Sequence, residues 1–375
     1  MGPKVPSVLP SSAVTLLPHL LATPAVACGL RAMALLAAAS CASTGPATGS
    51  EEEIRLDRAG FATLSDQAPK VLVVVAHPDD ELVATGALYL TGARLGGACD
   101  VLTITDGQGG FKYASFAEAL HGVPLTQEEV GRRELPAIRR EEQRRSLELL
   151  GARLLVRLQQ TDHRYTQDRM EVLADDAGVW DLAAVRASLD RRLAEERYDF
   201  LVTLAPTATT HGHHQAASLL ALEAVARMPE ADRPVALCCQ VKAADAEDLG
   251  VPPVLVHAEA DGQDLTALRV MSNEPPTATA PLGQTPVPFT IDRNEPFGHR
   301  DRLTLKAIAS VAIAQHLSQG TMLGYIGTGD LEEYWLFDLS PPSAAARAAG
   351  WFVQLQDPSF PQREYSASAG TNASR

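Results

Sequence analysis

Residues 71–81 read Val-Leu-Val-Val-Val-Ala-His-Pro-Asp-Asp-Glu, and the stretch changes character halfway along. Val71 to Ala76 is apolar at every position, the pattern of a strand covered by helices on both faces. His77 to Glu81 then crowds one imidazole and three carboxylates into five residues, stiffened by Pro78. Leu82 to Leu95 reads as a helix. A buried strand, a polar turn and a helix in this order form the first unit of a parallel β-α sheet, with the polar turn at the strand's carboxyl end.

Working outward, the same alternation continues. Val101 to Thr105 is a second buried strand, ended by Asp106-Gly107-Gln108-Gly109-Gly110, whose glycines permit a tight turn or positive φ. Ala114 to Arg133 is a polar insertion with little period, and Ile138 to Leu150 is an amphipathic helix stopped by Gly151. Strands follow at Leu154–Leu158, Phe200–Leu204 and Val235–Val241, with helices at Leu182–Glu196 and His214–Arg227. Residues 243–300 are rich in Pro and Gly and exclude regular helix. A helix at Leu303–Leu317 and a strand at Tyr334–Leu339 close the pattern. The expected fold is α/β, a Rossmann-like open and mostly parallel sheet with helices on both faces. The expected organisation is a disordered targeting segment and linker over 1–66 and a single domain over 67–340. That domain carries an insertion at 112–135 and the Pro-rich section at 243–300, and a partly disordered extension covers 341–375.

The formal net charge of −14 argues against a nucleic-acid partner, because binding phosphates takes concentrated Lys and Arg. None of the five cysteines forms a CxxC pair, so a zinc ribbon or thioredoxin-like site is not indicated, and Cys238-Cys239 reads as packed strand. Leu16 to Leu36 is dominated by Ala, Leu and Val, and the run Met33 to Cys41 resembles the processing site of a bacterial lipoprotein. The expectation is a chain exported to the bacterial cell envelope and attached to the membrane through a lipid at Cys41, or otherwise cytoplasmic. The bland alternatives are a disordered Ala-rich leader or a true start at Met33. Pro18, Pro24 and Arg31 interrupt the apolar run, which makes it a poor spanning helix.

Two polar clusters at strand ends carry the chemistry. Burying the adjacent carboxylates of Asp79 and Asp80 is costly unless something positive compensates them. A metal ion does so, and His77 and Asp80, three residues apart across the Pro78 turn, can reach one ion while Asp79 points elsewhere. Helix capping is the alternative use of an Asp here, and it accounts for only one of the two. The second cluster, His211-Gly212-His213-His214, follows Phe200–Leu204 at a helix start. Two histidines and a carboxylate drawn from the two clusters leave a coordination position open for water, as hydrolytic zinc sites require.

On these residues the chain resembles the PIG-L/LmbE family of metal-dependent de-N-acetylases, which shows an AHPDDE-type motif after its first strand and a later HxxH-type motif. Thr105-Asp106-Gly107, Arg139 with Glu142, and His316-Leu317-Ser318-Gln319 agree with it. The resemblance implies that His77, Asp80 and His214 ligate Zn2+ or another divalent transition metal. It makes Asp79 the general base that deprotonates the attacking water, and His211 the oxyanion stabiliser or the acid toward the leaving amine. It sets Arg139 against the substrate, a small N-acetylated sugar or glycoconjugate. One departure stands out: the family commonly has Pro and Asp inside the second motif, where this chain has Gly212 and His213, and His213 becomes a competing ligand. Asp106 serves as a turn cap or as support for a ligand histidine, and Asp162-His163 as pocket lining or a turn contact; His257, His299 and His316 are isolated. A carbohydrate-binding lipoprotein without activity, or a metal hydrolase of another amide or ester, are the alternatives.

Overall fold

A computed structural model describes residues 51–357, apart from 59, 62, 175–176, 208–209, 243–258, 261–262, 265–269, 272–287, 321–322, 338 and 340–342. The segment expected to serve in targeting, with Cys28 and Cys41, together with His257, most of the Pro-rich section and the chain end, lies outside the described residues. In chain order the strands are β1 (Glu52–Arg55), β2 (Lys70–Val75), β3 (Ala98–Thr105), β4 (Leu154–Gln160), β5 (Phe200–Leu204) and β6 (Val235–Lys242). They continue with β7 (Glu259–Ala260), β8 (Gln263–Asp264), β9 (Val270–Met271), β10 (Phe289–Asp292) and β11 (Leu331–Phe337). The helices are α1 (Thr85–Tyr89), α2 (Ser115–His121), α3 (Glu128–Leu149), α4 (Met170–Leu173) and α5 (Leu182–Glu196), then α6 (Gly212–Arg227), α7 (Leu305–Ile313), α8 (Gly324–Thr328) and α9 (Ala344–Gln356).

The main sheet runs β1-β4-β3-β2-β5-β6-β11-β10, with β9 also on β11. Strands β4, β3, β2, β5 and β6 are parallel, and the outer strands pair antiparallel, so the α/β class expected from the sequence is the fold observed. Alternation along β2 splits the core into two layers. Val71, Val73 and Val75 face α7 and α9, whereas Leu72 and Val74 face α5 and α6. From β2 the chain moves outward through β3 and β4, then returns to lay β5 against the other side of β2. That reversal is a topological switch point, and the loops after β2 and β5 diverge there to leave a crevice at the strands' carboxyl ends.

Four elements differ from the sequence reading, each for a physical reason. The helix expected at Leu82–Leu95 is a 3-10 turn (Asp80–Ala84), then α1, then a π turn (Leu90–Arg94). The Leu82 carbonyl accepts the Thr85 hydroxyl (2.7 Å), and the Gly86 N–H goes to the Glu332 carboxylate (2.8 Å), so the helical ladder breaks at that point. Residues 114–133 are not irregular: they hold α2 and the start of a 22-residue α3 that runs through Pro136. The helix expected at Ile138–Leu150 is the carboxyl-terminal part of α3; what periodicity misses is its start, residues 128–137, which is largely charged, buries Gly131 and Leu135 and contains Pro136. Within the expected linker, β1 is an edge strand whose glutamates pair with Arg140, Arg157 and Arg192. Within the C-terminal extension, α9 buries Trp351, Phe352 and Leu355. Cys238 and Cys239 are buried in β6 with free thiols, as strand packing requires.

Glu332 is the tie between the sheet's far side and the first motif. It is fully buried, accepts the Tyr334 hydroxyl (2.6 Å) and lies 3.5 Å from the Nε of an equally buried Arg293. Removing one member of such a pair strands the other charge, at about 3–5 kcal/mol. Glu332→Ala is therefore expected to lower unfolding free energy by several kcal/mol, about 3 or more. An E332L/R293M double variant is expected to recover much of it, and urea denaturation checks both. A double variant no more stable than the single one would remove the ion pair from this account.

Candidate metal centre at the strand switch

The loop after β2 makes a tight turn that carries both aspartates inward. Oδ2 of Asp80 accepts the His77 backbone N–H (2.7 Å), closing the turn, and Asp79 takes φ 130°, ψ −21°, outside the usual range for a residue with a side chain. Asp79 makes no side-chain cap to the following helical turn, so capping is not its use. Its carboxylate meets Arg139 Nη2 at 3.0 Å. The two carboxylates thus point apart, toward different partners.

Asp80, His77 and His214 converge. His77 Nδ1 lies 3.0 Å from His214 Nε2 and 3.3 Å from Asp80 Oδ2, and His214 Nε2 lies 3.2 Å from Asp80 Oδ1. The switch point brings this about: His77 stands two residues past β2, and His214 stands in the first turn of α6 on the crevice's other side. Donor atoms bonded at ~2.0–2.1 Å to one tetrahedral ion stand about 3.3–3.4 Å apart, so these three fit a divalent transition metal with a position left open. His211 caps the start of α6 with its ring stacked between Tyr165 (centroids 5.0 Å) and His77 (5.2 Å). Its Nε2 faces the Arg164 carbonyl at 3.1 Å, and because a carbonyl only accepts, Nε2 carries the hydrogen.

The electrostatics follow from burial. Burial alone would lower His77, but the Asp162 and Asp80 carboxylates outweigh it and raise the ring to about 10. Asp80, which burial would raise, is held well below the usual carboxylate range by His214 and His77. Burial pushes Asp79 up to about 6, with Arg139 opposing and Asp80 adding to the rise. His211 falls to about 3 through burial and the neighbouring His77 and His213, so its resting imidazole is neutral.

A second layer holds this turn. Arg139 is almost fully buried, and it donates to the carbonyls of Pro78 (2.6 Å) and Gly107 (2.7 Å) besides Asp79. The guanidinium thus positions the aspartate. Gly107 takes φ 74°, and a Cβ at that position would stand 2.6 Å from the guanidinium. Glu81 accepts His316 Nε2 (3.1 Å), Gln143 Nε2 (3.0 Å) and the Asp79 backbone N–H (2.9 Å). Glu142 accepts both the N–H and the hydroxyl of Ser318. Asp106 caps its own turn through Gln108 N–H, whereas Asp162 reaches the centre and His163 and His299 are exposed. The inward role of Asp162 was not decided by sequence; its only signal was its place after a strand.

Residues 72–225 match the family model described as PIG-L, GlcNAc-PI de-N-acetylase. No curated protein matches the chain. Among solved structures, N,N'-diacetylchitobiose deacetylase from Pyrococcus horikoshii is similar at 26% identity over 43% of this chain and 50% of that one, with a TM-score of 0.31. This chain therefore spans about half the length of that deacetylase. A deacetylase in the biosynthesis pathway of teicoplanin is similar at 17% identity over 72% and 97%, TM-score 0.41. GalB, the 4-carboxy-2-hydroxymuconate hydratase from Pseudomonas putida KT2440, is similar at 16% identity over 72% and 95%, TM-score 0.38.

The donor set leads to a direct test. Chelator-stripped protein is expected to gain thermal stability on adding Zn2+, with Tm rising as free metal rises, because an ion bound only by the folded state stabilises it by mass action. Asp80→Ala is expected to lose most of that rise. A wild-type Tm indifferent to Zn2+, Co2+ and Mn2+ would contradict the assignment of these three ligands.

Proposed function

We propose that this chain, whose residues 72–225 form a PIG-L family domain, is a divalent-metal-dependent hydrolase that removes an N-acyl group, acetyl in the simplest case, from an amino-sugar-containing substrate. The observation that carries the reading is the His77, Asp80 and His214 triad at the crevice, with the carboxylate of Asp79 beside it and not consumed by it. Zinc is the metal that the two-histidine, one-carboxylate donor set favours.

An amide carbonyl is a poor electrophile. A divalent cation in the triad would supply Lewis-acid polarisation and make a water nucleophilic near neutral pH. The remaining work falls to side chains of this chain. Asp79 accepts the proton of the attacking water: burial has raised its carboxyl to about 6, close to where a general base is effective, and Arg139 fixes its direction. The 130° φ of Asp79 is held by its backbone N–H to Glu81 and by Arg139 on the Pro78 carbonyl, so the base is aimed by strain that its surroundings sustain.

His211 stands at the mouth, with Tyr165 on its solvent side. Its Nε2–H rests on the Arg164 carbonyl, so donating to a developing oxyanion, or to the leaving amine, requires the substrate to displace that contact. Arg139 acts through Asp79 in this scheme, its guanidinium buried against that carboxylate.

Asp79→Asn keeps the side chain's shape at a positive φ and removes the proton acceptor. It is expected to bind metal like wild type while kcat for acetate release from N-acetylhexosamine conjugates falls by about 10²–10⁴. Metal-loaded wild type that releases no acetate from any N-acetylated amino sugar, or an Asn variant as active as wild type, would sink the proposal.

A further inference from the structure

The triad uses only one nitrogen of His77. The opposite nitrogen, Nε2, faces two further donors that no step above employs. His213 Nδ1 lies 3.2 Å from it and Asp162 Oδ1 3.5 Å, and these two atoms are 3.4 Å from each other. A ligand atom of His211 falls within 4.8 Å of those of His77 and His213. We propose that this cluster is a second divalent-cation position, adjacent to the first and sharing the His77 ring with it. Its ligands are His77 Nε2, His213 Nδ1 and Asp162 Oδ1, with His211 as the fourth donor. The inference rests on reading His77, Asp80 and His214 as the first position.

Three observations point to an ion in preference to hydrogen bonding alone. The edges of the triangle are too long for charge-assisted hydrogen bonds, which run about 2.7–2.9 Å, and match the spacing of about 3.3–3.4 Å around a tetrahedral ion. The carboxylate is built in and rigid. Oδ2 of Asp162 accepts the Gly109 N–H (3.0 Å), Arg132 grips the carbonyls of Asp162 (3.0 Å) and His163 (2.8 Å), and a Cβ at Gly109 would stand 2.7 Å from the carboxyl carbon. Finally, Asp162 is buried, yet among the described residues its ion pairs are to imidazoles alone, which lose their charge when they ligate. A buried carboxylate without a permanent cation is costly, and a divalent ion removes that cost.

His213 fits the same reading. Its ring is fully buried beside Trp180 (centroids 5.4 Å), and Nε2 has no hydrogen-bond partner among the described residues, so Nδ1 is its polar face. An aspartate at 213 would instead set two carboxylates against each other. With both positions filled, His77 has given up both ring protons and bridges as an imidazolate. Each ion takes one proton from this ring, and the second, which must turn a neutral imidazole into an imidazolate, binds more weakly.

The test titrates chelator-stripped full-length protein with Zn2+ and measures bound metal after equilibrium dialysis, with Co2+ absorbance as a parallel record. Wild type is expected to take about two equivalents in two steps; His213→Ala, His213→Asn and Asp162→Ala keep only the tighter one, and His214→Ala loses that tighter one. Retention of the first equivalent shows that a variant is folded. One equivalent in wild type, unaffected by changes at 213 and 162, overturns the second position and leaves the first intact. Two equivalents that survive all the changes at 213 and 162 place the extra ion elsewhere and overturn it as well. No bound metal at all overturns both readings, and two ions without acetate release overturn only the proposed reaction.

Discussion

Asp79, Asp80, Glu81 and Asp162 are all buried at the carboxyl end of one sheet, and the mutual repulsion of four carboxylates in so small a volume is the constraint that organises everything around them. Each has its own answer. Arg139 reaches Asp79 from α3, His77 and His214 flank Asp80, His316 and Gln143 close on Glu81, and His213 faces Asp162. These partners come from different parts of the chain, so the cost of burying charge is met by tertiary structure and not by any local motif. The inner face of α3 is the clearest result: between its buried Leu135 and Leu147 it also buries an arginine, a glutamate and a glutamine.

Much of the fold was legible because parallel strands buried on both faces write themselves as apolar runs. β2, β3, β5 and β6 all read this way, and the loops after β2 and β5 stood out by contrast. What escaped was structure whose stabilisation is polar or distant. β1 is charged and held by arginines of β4, α3 and α5; the first ten residues of α3 are largely charged and contain Pro136; and the breaks around α1 depend on a glutamate 246 residues later. The site was legible as two motifs because their residue types are improbable at strand ends. Asp162 was not, since one aspartate after a strand carries no signal until the fold brings it against His77 and His213.

The second motif gains a physical meaning from this geometry. With His213 in place of an acid, the nearest carboxylate comes from the loop after β4, and the histidines of the motif gather on both sides of the His77 ring. His211, flat between Tyr165 and His77, links the buried centre to the crevice mouth. Among the described residues no helix is long and apolar enough to cross a membrane.

Glu332 gives the molecule a boundary different from the one its sequence match suggests. The family match ends at residue 225, yet the amide that Glu332 holds belongs to Gly86, a few positions past the aspartates, and β11 carries that glutamate into the sheet. The backbone just past the aspartates is thus braced by the last strand among the described residues. The bracing contact spans 246 residues of chain, so a fragment that stopped where the family match stops would leave the Gly86 amide without its buried acceptor.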